Sequence, residues 1–272
     1  MSTIKIALCQ MLVEGGEPKR NLDRASSYIE IASKKKCDLI IFPECSDLGW
    51  THPSVFYEAE KIPGKWSNQY CKLSKKFNIS ICIGLTEKYK NKIYNSAIYI
   101  ENGIILNKHR KINELEIATK FYSCGNKVEV FKTEIGNCGI SICSDNYDKS
   151  KIISHLLARM QADFIVSPCS WTVGSENTKE NPYLQKWVPA MKEVTQTYKN
   201  VFVAVTSVGY IVGGPYEGKK MIGQSLAYQN GKCLKIMSHN EISTEFEIIK
   251  LNFKKENRLY GTKLSESVTI NV

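Results

Sequence analysis

Cys143 stands where a short apolar strand ends, a position from which a thiol can react. The strand is predicted over 138–143 and is followed at once by Ser144, Asp145 and Asn146, which all favour the start of a helix. A thiol on such a strand-to-helix turn lies beside backbone N–H groups that no helical bond satisfies, so it can act as a nucleophile. The chain has ten cysteines, however, and free cysteine is usually a small buried apolar residue.

Glu44 and Lys111 are two further residues at predicted element ends whose types suit the cleavage of an amide. Pro43 terminates the apolar strand predicted over 38–44 and delivers Glu44 at its C-terminal end, where catalytic groups of α/β sheets gather. Amide cleavage needs a thiolate to attack the carbonyl carbon, a carboxylate to move protons and a cation to stabilise the oxyanion. Each residue also has an ordinary interpretation, since Glu44 could cap a helix, Lys111 could be a surface lysine and Cys143 could be core.

Cys45 is the main competitor for the role of nucleophile, because it adjoins Glu44 at the end of a strand. Neighbouring side chains on an extended backbone point in opposite directions, so Cys45 is expected to face away from Glu44. Cys143 can approach Glu44 from a different strand, and a nearby Lys111 ammonium is expected to favour its thiolate. The sequence therefore predicts that Cys143 carries the acyl group.

Strands and helices alternate along the chain and must position these residues. Apolar runs and turn signals predict strands over 4–10, 38–44, 80–86, 94–100, 104–107, 128–132, 138–143, 164–167, 201–207, 225–228, 233–238 and 245–251. Helical periodicity predicts helices over 22–35 capped by Asn21, over 67–77, over 151–160 and over 180–198 with a kink near Pro189. We expect one α/β domain over residues 1–272, with two mixed sheets each covered by helices on its outer face.

The composition narrows the class of protein. The 272 residues are 43% hydrophobic and 24% charged, with no apolar run long enough to span a bilayer. The first residues enter a strand without a signal-peptide pattern, so we expect a cytoplasmic protein with no membrane contact and reduced cysteines. The cysteines lack paired zinc-site spacing and the four histidines are scattered, so no metal is expected.

The formal net charge of +10 raises the question of a nucleic-acid partner. The lysines form short separated runs, such as 34–36 and 75–76, without the interleaved aromatic residues that stack on bases. We therefore interpret the charge as a solvated lysine-rich surface and expect no nucleic-acid partner.

With these residues in place, the sequence resembles the nitrilase, or carbon–nitrogen hydrolase, superfamily. The resemblance rests on three segments in the family's order, Ile41–Glu44, His109–Ile112 and Gly139–Asp145. It extends over nearly the whole chain through residues 4–10, 162–163, 167–171 and 223–225. The resemblance implies a four-layer αββα sandwich, a reaction without a cofactor, and a homodimer or higher homo-oligomer.

The resemblance also implies a role for each site residue. Glu44 would be general base and acid, Lys111 would stabilise the oxyanion, and Cys143 would be the nucleophile. The backbone N–H of Ser144 would be the second oxyanion donor. Many members of the family carry a further glutamate between the lysine and the cysteine that helps to position substrate. Glu114 and Glu116 both fall in this interval, and Glu114 fits better.

Two aromatic residues are predicted to line the pocket, Trp171 after a strand end and Tyr147 after the nucleophile turn. The chain departs from the family's pattern after the cysteine, where only Asp145 is kept of the usual residues. It also carries Ser207 where the family often has an asparagine. These departures leave the chemistry in place and the substrate open.

The expected function is hydrolysis of a small amide or carbamoyl compound through a thioester, with release of ammonia or an amine. The alternatives are a nitrilase, which passes through a thioimidate, and a catalytically silent homologue that serves as a binding subunit. The polar C-terminal tail, about 252–272, contains Leu259, Tyr260 and Leu264 and is predicted to dock on a neighbouring subunit.

Overall fold

The structure is a computed structural model that describes residues 3–147, 150–173, 182–240 and 242–252. The helices are α1 (Pro18–Lys34), α2 (Val55–Glu58), α3 (Lys65–Phe77), α4 (Ile152–Arg159) and α5 (Val188–Tyr198). The strands are β1 (Ile4–Gln10), β2 (Leu39–Ile41), β3 (Ser80–Tyr89), β4 (Lys92–Glu101), β5 (Ile104–Arg110), β6 (Val130–Thr133), β7 (Gly136–Ile140), β8 (Phe164–Cys169), β9 (Thr172–Val173), β10 (Val201–Thr206), β11 (Val208–Tyr210), β12 (Lys220–Ile222), β13 (Leu226–Gln229), β14 (Lys232–Ile236) and β15 (Glu245–Leu251). Short 3-10 turns cover Glu116–Lys120, Cys143–Asn146 and Pro182–Lys186.

Two six-stranded sheets form the centre of the fold. The first sheet has the order β15-β1-β2-β3-β4-β5, and the second has the order β14-β13-β10-β8-β7-β6. In each sheet three strands run parallel, β1, β2 and β3 in the first and β7, β8 and β10 in the second, while the outer pairs are antiparallel. The predicted pair of mixed sheets is confirmed.

The alternation of side chains along the strands produces the layers. On β1, Ile6 and Leu8 belong to the apolar core shared with the second sheet, whereas Ala7 and Cys9 pack with α1 and α3. Helices α4 and α5 pack against strands of the second sheet. The layers therefore run helices, first sheet, second sheet, helices, as the resemblance implies.

The boundaries of several elements follow from simple turn chemistry. Strands β1 and β15 have the predicted ends. In the turn at Asn102-Gly103 the φ values of the two residues are 52° and 79°. In the turn at Asn230-Gly231 they are 52° and 78°. Positive φ at both central residues is the conformation that Asn-Gly favours in tight hairpins.

The start of α1 differs from the prediction, because the helix begins at Pro18 and Asn21 is not its cap. Proline suits the first turn of a helix, where its missing N–H has no partner in any case. The Asn21 amide instead exchanges hydrogen bonds of 2.8 and 2.9 Å with the backbone of Glu14 and donates at 2.8 Å to the carbonyl of Asp47. Asn21 thus ties the helix to the segment that follows Glu44.

The second half differs from the prediction in several places, and strand β7 ends at Ile140, three residues before Cys143. Strand β8 continues through Pro168 to Cys169, because the adjacent parallel strand β10 pairs with β8 as far as Cys169. The predicted 180–198 helix is a 3-10 turn followed by α5, and Pro189 lies in the first turn of α5, so within the described residues it starts a helix and does not kink one. A small third sheet with the order β11-β12-β9 was not predicted, since its strands have only two or three residues.

No helix in the described ranges is long and apolar enough to cross a bilayer. The predicted subunit contact of the C-terminal tail falls on residues 253–272, including Leu259, Tyr260 and Leu264, which lie outside the described residues.

Candidate active site

Glu44 follows β2 and is held between the two sheets. Its backbone N–H donates to the carbonyl of Cys169 on the second sheet at 3.2 Å, and Gly84 on β3 donates to Pro43 at 3.0 Å. Any side chain at Gly84 would clash, because its Cβ would lie 2.5 Å from the Glu44 Cα. The close approach that glycine permits here seats Glu44 against β3, with only 1% of the residue exposed.

Lys111 follows β5 directly and reaches the Glu44 carboxylate. Its Nζ lies 2.7 Å from Glu44 Oε1, and both side chains are fully buried. Its backbone is fixed as well, because its N–H donates to Asn95 at 2.8 Å and its carbonyl accepts from Gly125 at 2.7 Å. Burial by itself lowers the pKa of Lys111, but the charges of Glu44 and Glu114 outweigh it and hold the pKa well above its usual value.

Asn95 on β4 is a site residue that the sequence analysis missed. Its Nδ2 donates to Glu44 Oε1 at 2.6 Å, so the amide and the Lys111 ammonium bind the same carboxylate oxygen. The other oxygen, Oε2, has no hydrogen-bond partner among the described residues and is buried. Glu44 is therefore anchored through one oxygen while the second is available for proton transfer. A polar residue in a strand otherwise rich in apolar residues was the signal that could have revealed Asn95.

Cys143 opens the 3-10 turn after β7 in a left-handed conformation, with φ of 45°. Non-glycine residues rarely adopt this conformation, and strained turns of this kind recur at nucleophiles. The thiol is 6% exposed and lies within the electrostatic influence of Glu44 and Lys111. The structure thus brings Glu44, Lys111 and Cys143 into one buried cluster.

The protonation state of Cys143 differs from the expectation. Burial, a hydrogen bond with the Cys169 thiol and the charge of Glu44 raise the pKa of Cys143 well above its usual value, and the opposing effect of Lys111 does not compensate. The resting group is a thiol. A base must remove its proton before it can attack, and the free Oε2 of Glu44 suits that task.

Glu114 lies beside the ammonium group, and Ser144 follows Cys143 in the turn. The Ser144 backbone N–H lies in the first turn of the 3-10 segment, where no partner inside the turn is available. The Glu114 side chain is fully buried, with Oε2 3.7 Å from Lys111 Nζ, whereas Glu116 is exposed. Burial raises the pKa of Glu114 to about 8, although Lys111 opposes the shift. Of the two predicted glutamates, only Glu114 lies at the site.

The two predicted pocket residues belong to one aromatic stack. The Trp187 ring lies between those of Tyr147 and Trp171, with centroid distances of 4.6 and 4.8 Å. Trp171 is fully buried and shares an apolar cluster with Cys143, against which Tyr147 packs. The stack borders the nucleophile turn, and the assignment of Trp171 and Tyr147 to substrate binding stays a prediction.

Cys45, the competing thiol, lies in a different apolar cluster. Its Sγ is 3.7 Å from the Tyr122 hydroxyl, and burial raises its pKa well above the usual value. The backbone at Cys45 is a turn with φ of 46° and is not extended, so the expected alternation does not apply, and the turn places Cys45 in a cluster separate from that of Cys143. Within the described ranges, no group of three histidine, cysteine or acidic side chains is arranged to hold a metal ion.

Comparison with known proteins gives a family match across most of the chain. The family model described as Carbon-nitrogen hydrolase matches residues 5–244. The chain is 30% identical over 190 residues to a protein named probable nitrilase from Schizosaccharomyces pombe, covering 67% of this chain and 66% of that protein. It is 27% identical over 262 residues to a nitrilase from Pyrococcus abyssi, covering 94% and 93%. An omega-amidase of Mus musculus is 32% identical over 158 residues, covering 53% and 56%.

Solved structures share the fold at lower sequence identity. A carbon–nitrogen hydrolase from Helicobacter pylori G27 has a TM-score of 0.82 at 20% identity, covering 93% of this chain and 90% of that one. An amidase variant from Nesterenkonia sp. AN1 has a TM-score of 0.77 at 14% identity, covering 91% and 90%. That structure shows the acetamide moiety of fluoroacetamide added covalently at its active-site cysteine.

Proposed function

The chain belongs to the carbon–nitrogen hydrolase family, and we propose that it hydrolyses the C–N bond of a small amide or carbamoyl compound. The observation that carries this proposal is the buried pair of Lys111 Nζ and Glu44 Oε1, 2.7 Å apart, beside the Cys143 thiol. It leaves Glu44 Oε2 without a partner among the described residues, so a base, a cation and a nucleophile meet in one place.

The reaction begins with proton transfer from the Cys143 thiol to Glu44 Oε2. The resulting thiolate attacks the carbonyl carbon, and the electron pair of the C=O bond moves onto oxygen. The Lys111 ammonium and the Ser144 N–H stabilise that oxyanion. Glu44 then gives its proton to the leaving nitrogen, the C–N bond breaks, and ammonia or an amine departs from a thioester on Cys143.

Hydrolysis of the thioester uses the same groups in reverse. Glu44 takes a proton from a water molecule, the hydroxide attacks the thioester carbonyl, and the C–S bond breaks as the thiol is restored. Each step draws on a side chain of this chain. The omega-amidase relative and the covalent adduct on the cysteine of the Nesterenkonia amidase support this route.

The burial of the reactive groups favours a small substrate. Glu44, Lys111 and Cys143 expose at most 6% of their surface, so only a compact group can reach all three. Glu114, whose pKa is raised to about 8, is largely protonated near neutral pH and can donate a hydrogen bond to the substrate. A protonated Glu114 adds no negative charge beside the pair of Lys111 and Glu44, which suits an uncharged carboxamide.

A nitrilase is the second candidate, because the nitrilase from Pyrococcus abyssi is matched along nearly its whole length. A panel of small carboxamides, carbamoyl amines and matched nitriles, assayed for ammonia with Cys143→Ala as control, separates the two. Ammonia from a carboxamide but not from its nitrile supports the amidase, and the opposite result supports the nitrilase. No turnover of any member by the wild type would favour a silent binding subunit.

We infer further that the protein is cytoplasmic and works as a homodimer or larger assembly, without nucleic acid or membrane. The family resemblance supports the assembly, and the short separated lysine runs support the lack of a nucleic-acid partner. Light scattering at micromolar concentration tests the assembly, and a mass near 30.8 kDa would contradict it.

A further inference from the structure

The carboxylate of Asp145, two residues after the nucleophile, has four hydrogen-bond partners. Asp145 is fully buried and His109 is 4% exposed. Oδ1 accepts from the backbone N–H groups of Ile112 at 3.1 Å and Asn113 at 2.8 Å. Oδ2 accepts from the N–H of Ile142 at 3.0 Å and lies 2.9 Å from His109 Nε2. Since a carboxylate only accepts hydrogen bonds, His109 Nε2 is the donor in this pair.

These bonds join the two sheets at the reacting groups. Ile112 and Asn113 directly follow Lys111 at the end of the first sheet, and Ile142 directly precedes Cys143 at the end of the second. A second tie runs alongside, because the Ser144 hydroxyl donates to the Asn113 carbonyl at 2.5 Å. The separation between Lys111 and the Cys143–Ser144 turn is therefore set by the Asp145 carboxylate together with this second bond.

We propose that Asp145, braced by His109, is a positioning residue that holds the Lys111 ammonium and the Ser144 N–H at the oxyanion site. This proposal rests on the proposed hydrolytic function, because only a carbonyl reaction creates an oxyanion there. Donors stabilise a transition state only when they are held where the charge develops, and a shift of about 1 Å can cost roughly 100-fold in rate.

The charge of Asp145 matters to this arrangement. Burial alone would raise the pKa of Asp145, but the bonds from His109 and from backbone N–H groups outweigh burial and lower the pKa below its usual value. An ionised carboxylate can accept all four donors at once, whereas a neutral amide cannot. In Asp145→Asn the new NH₂ group would face either the pair Ile112 and Asn113 or the pair Ile142 and His109, and each pair consists of donors.

The test compares two reactions of the same thiol. Amide hydrolysis passes through an oxyanion, but alkylation of Cys143 by iodoacetamide is a displacement at carbon that needs none. We expect Asp145→Asn to lower kcat about 100-fold with little change in KM, while the rate of Cys143 alkylation, followed by peptide mapping, stays near that of the wild type. Peptide mapping is needed because Cys124 and Cys233 are exposed and will also react.

Two variants of His109 remove and restore one hydrogen-bond donor to Asp145. His109→Leu removes one donor to the carboxylate and is expected to lower kcat about tenfold, in keeping with the strength of one hydrogen bond to a charged group. His109→Gln can place an amide donor at a similar position and should recover most of that loss. If Asp145→Asn does not fold, this pair decides the question, and equal kcat in both His109 variants would overturn the proposal.

Asp163 is the matched control. It is a buried residue whose carboxylate accepts the backbone N–H of Asn137 at 2.6 Å, at the start of β7 and away from Cys143. Asp163→Asn should lower the melting temperature and leave kcat near that of the wild type. Equal losses of hydrolysis and alkylation in Asp145→Asn would overturn the positioning role while leaving the hydrolase assignment intact. If the wild type hydrolyses no amide, both the positioning role of Asp145 and the hydrolase assignment are wrong.

Discussion

Two buried carboxylates at the ends of neighbouring strands, Glu44 and Glu87, have opposite surroundings. Glu87 on β3 accepts from Ser96 and Arg110 at 2.8 Å and pairs with Lys108, so both of its oxygens are bound. Burial would raise the pKa of Glu87, but Arg110 and Lys108 lower it below the usual value. Glu44 keeps one buried oxygen without a partner in the described part of the chain.

The same contrast holds for the lysines of β5 and its end. Lys108 pairs with Glu87 in a partly exposed position, whereas Lys111 is fully buried between Glu44 and Glu114. Buried polar groups in proteins are nearly always satisfied, so an unsatisfied one needs an explanation. Here Glu87 stabilises the strand pair, whereas Glu44 Oε2 and both Glu114 oxygens accept no hydrogen bond from the described residues, as the proposed chemistry requires.

The largest effect is expected from Glu44→Gln, which removes the proton shuttle without changing its size. The loss of general acid–base catalysis should lower kcat by about 10²–10⁴-fold. Glu87→Gln is the matched change, and it should destabilise the fold by about 1–3 kcal/mol while leaving kcat near that of the wild type. Ammonia release and urea unfolding measure both variants. Normal turnover in Glu44→Gln would show that Glu44, like Glu87, has no catalytic role.

Lys111→Ala is expected to have the next largest effect. Losing one oxyanion donor typically costs about 2.7–4 kcal/mol of barrier, or about 10²–10³ in kcat. Lys108→Ala removes a lysine three residues earlier that pairs with the structural carboxylate of Glu87, so turnover should change little. Steady-state kinetics on one confirmed substrate compare the two, and similar losses in both variants would show that Lys111 acts through the fold rather than on the oxyanion.

Glu114→Gln tests the buried carboxylate beside Lys111 through the pH dependence of the free energy of unfolding. The folded pKa of about 8 lies above the ordinary value of 4.5, so the native state binds more protons than the unfolded state between these values. Wild-type stability should therefore fall as pH rises from about 4.5 to 8, by up to a few kcal/mol. Glu114→Gln should remove the contribution of Glu114, whereas the contribution of Asp47, whose pKa burial raises to about 6, stays in both proteins.

The control for this measurement is Glu116→Gln, which changes an exposed carboxylate two residues away. Its free energy of unfolding should follow the wild type at every pH. A difference in the free energy of unfolding between Glu114→Gln and the wild type that stays constant from pH 4.5 to 8 would place the titrating group elsewhere.

Cys169→Ala should give the smallest effect. The Cys169 thiol contributes to the raised pKa of Cys143, after burial, through a hydrogen bond. Without it, the pH at which iodoacetamide reaches half its maximal rate with Cys143 should move down by a fraction of a unit. Cys45→Ala, in a separate cluster, should leave that profile unchanged. An upward shift in Cys169→Ala would show that Cys169 donates to the thiolate and stabilises it.

Local patterns in the sequence predicted much of the fold. The periodicity of apolar residues located both sheets, because burial on one or two faces imposes a recognisable alternation. The Asn-Gly pairs located two hairpin turns, because few other residues adopt positive φ at both positions. The third sheet was missed, since strands of two or three residues such as β9 carry too little periodicity to be seen.

The sequence by itself determined which reactive side chains stand at the ends of elements, namely Glu44, Lys111 and Cys143. That follows from proline, glycine and polarity at strand ends, which act over a few residues. Only the tertiary structure decided which partners they meet. Asn95 and Lys111 bind the same oxygen of Glu44, and Asp145 bridges the two sheets, through contacts between residues 32 to 67 positions apart. The same environment raises the pKa of Cys143, opposite to the expected effect of Lys111, because desolvation depends on packing from every side and no local pattern encodes it.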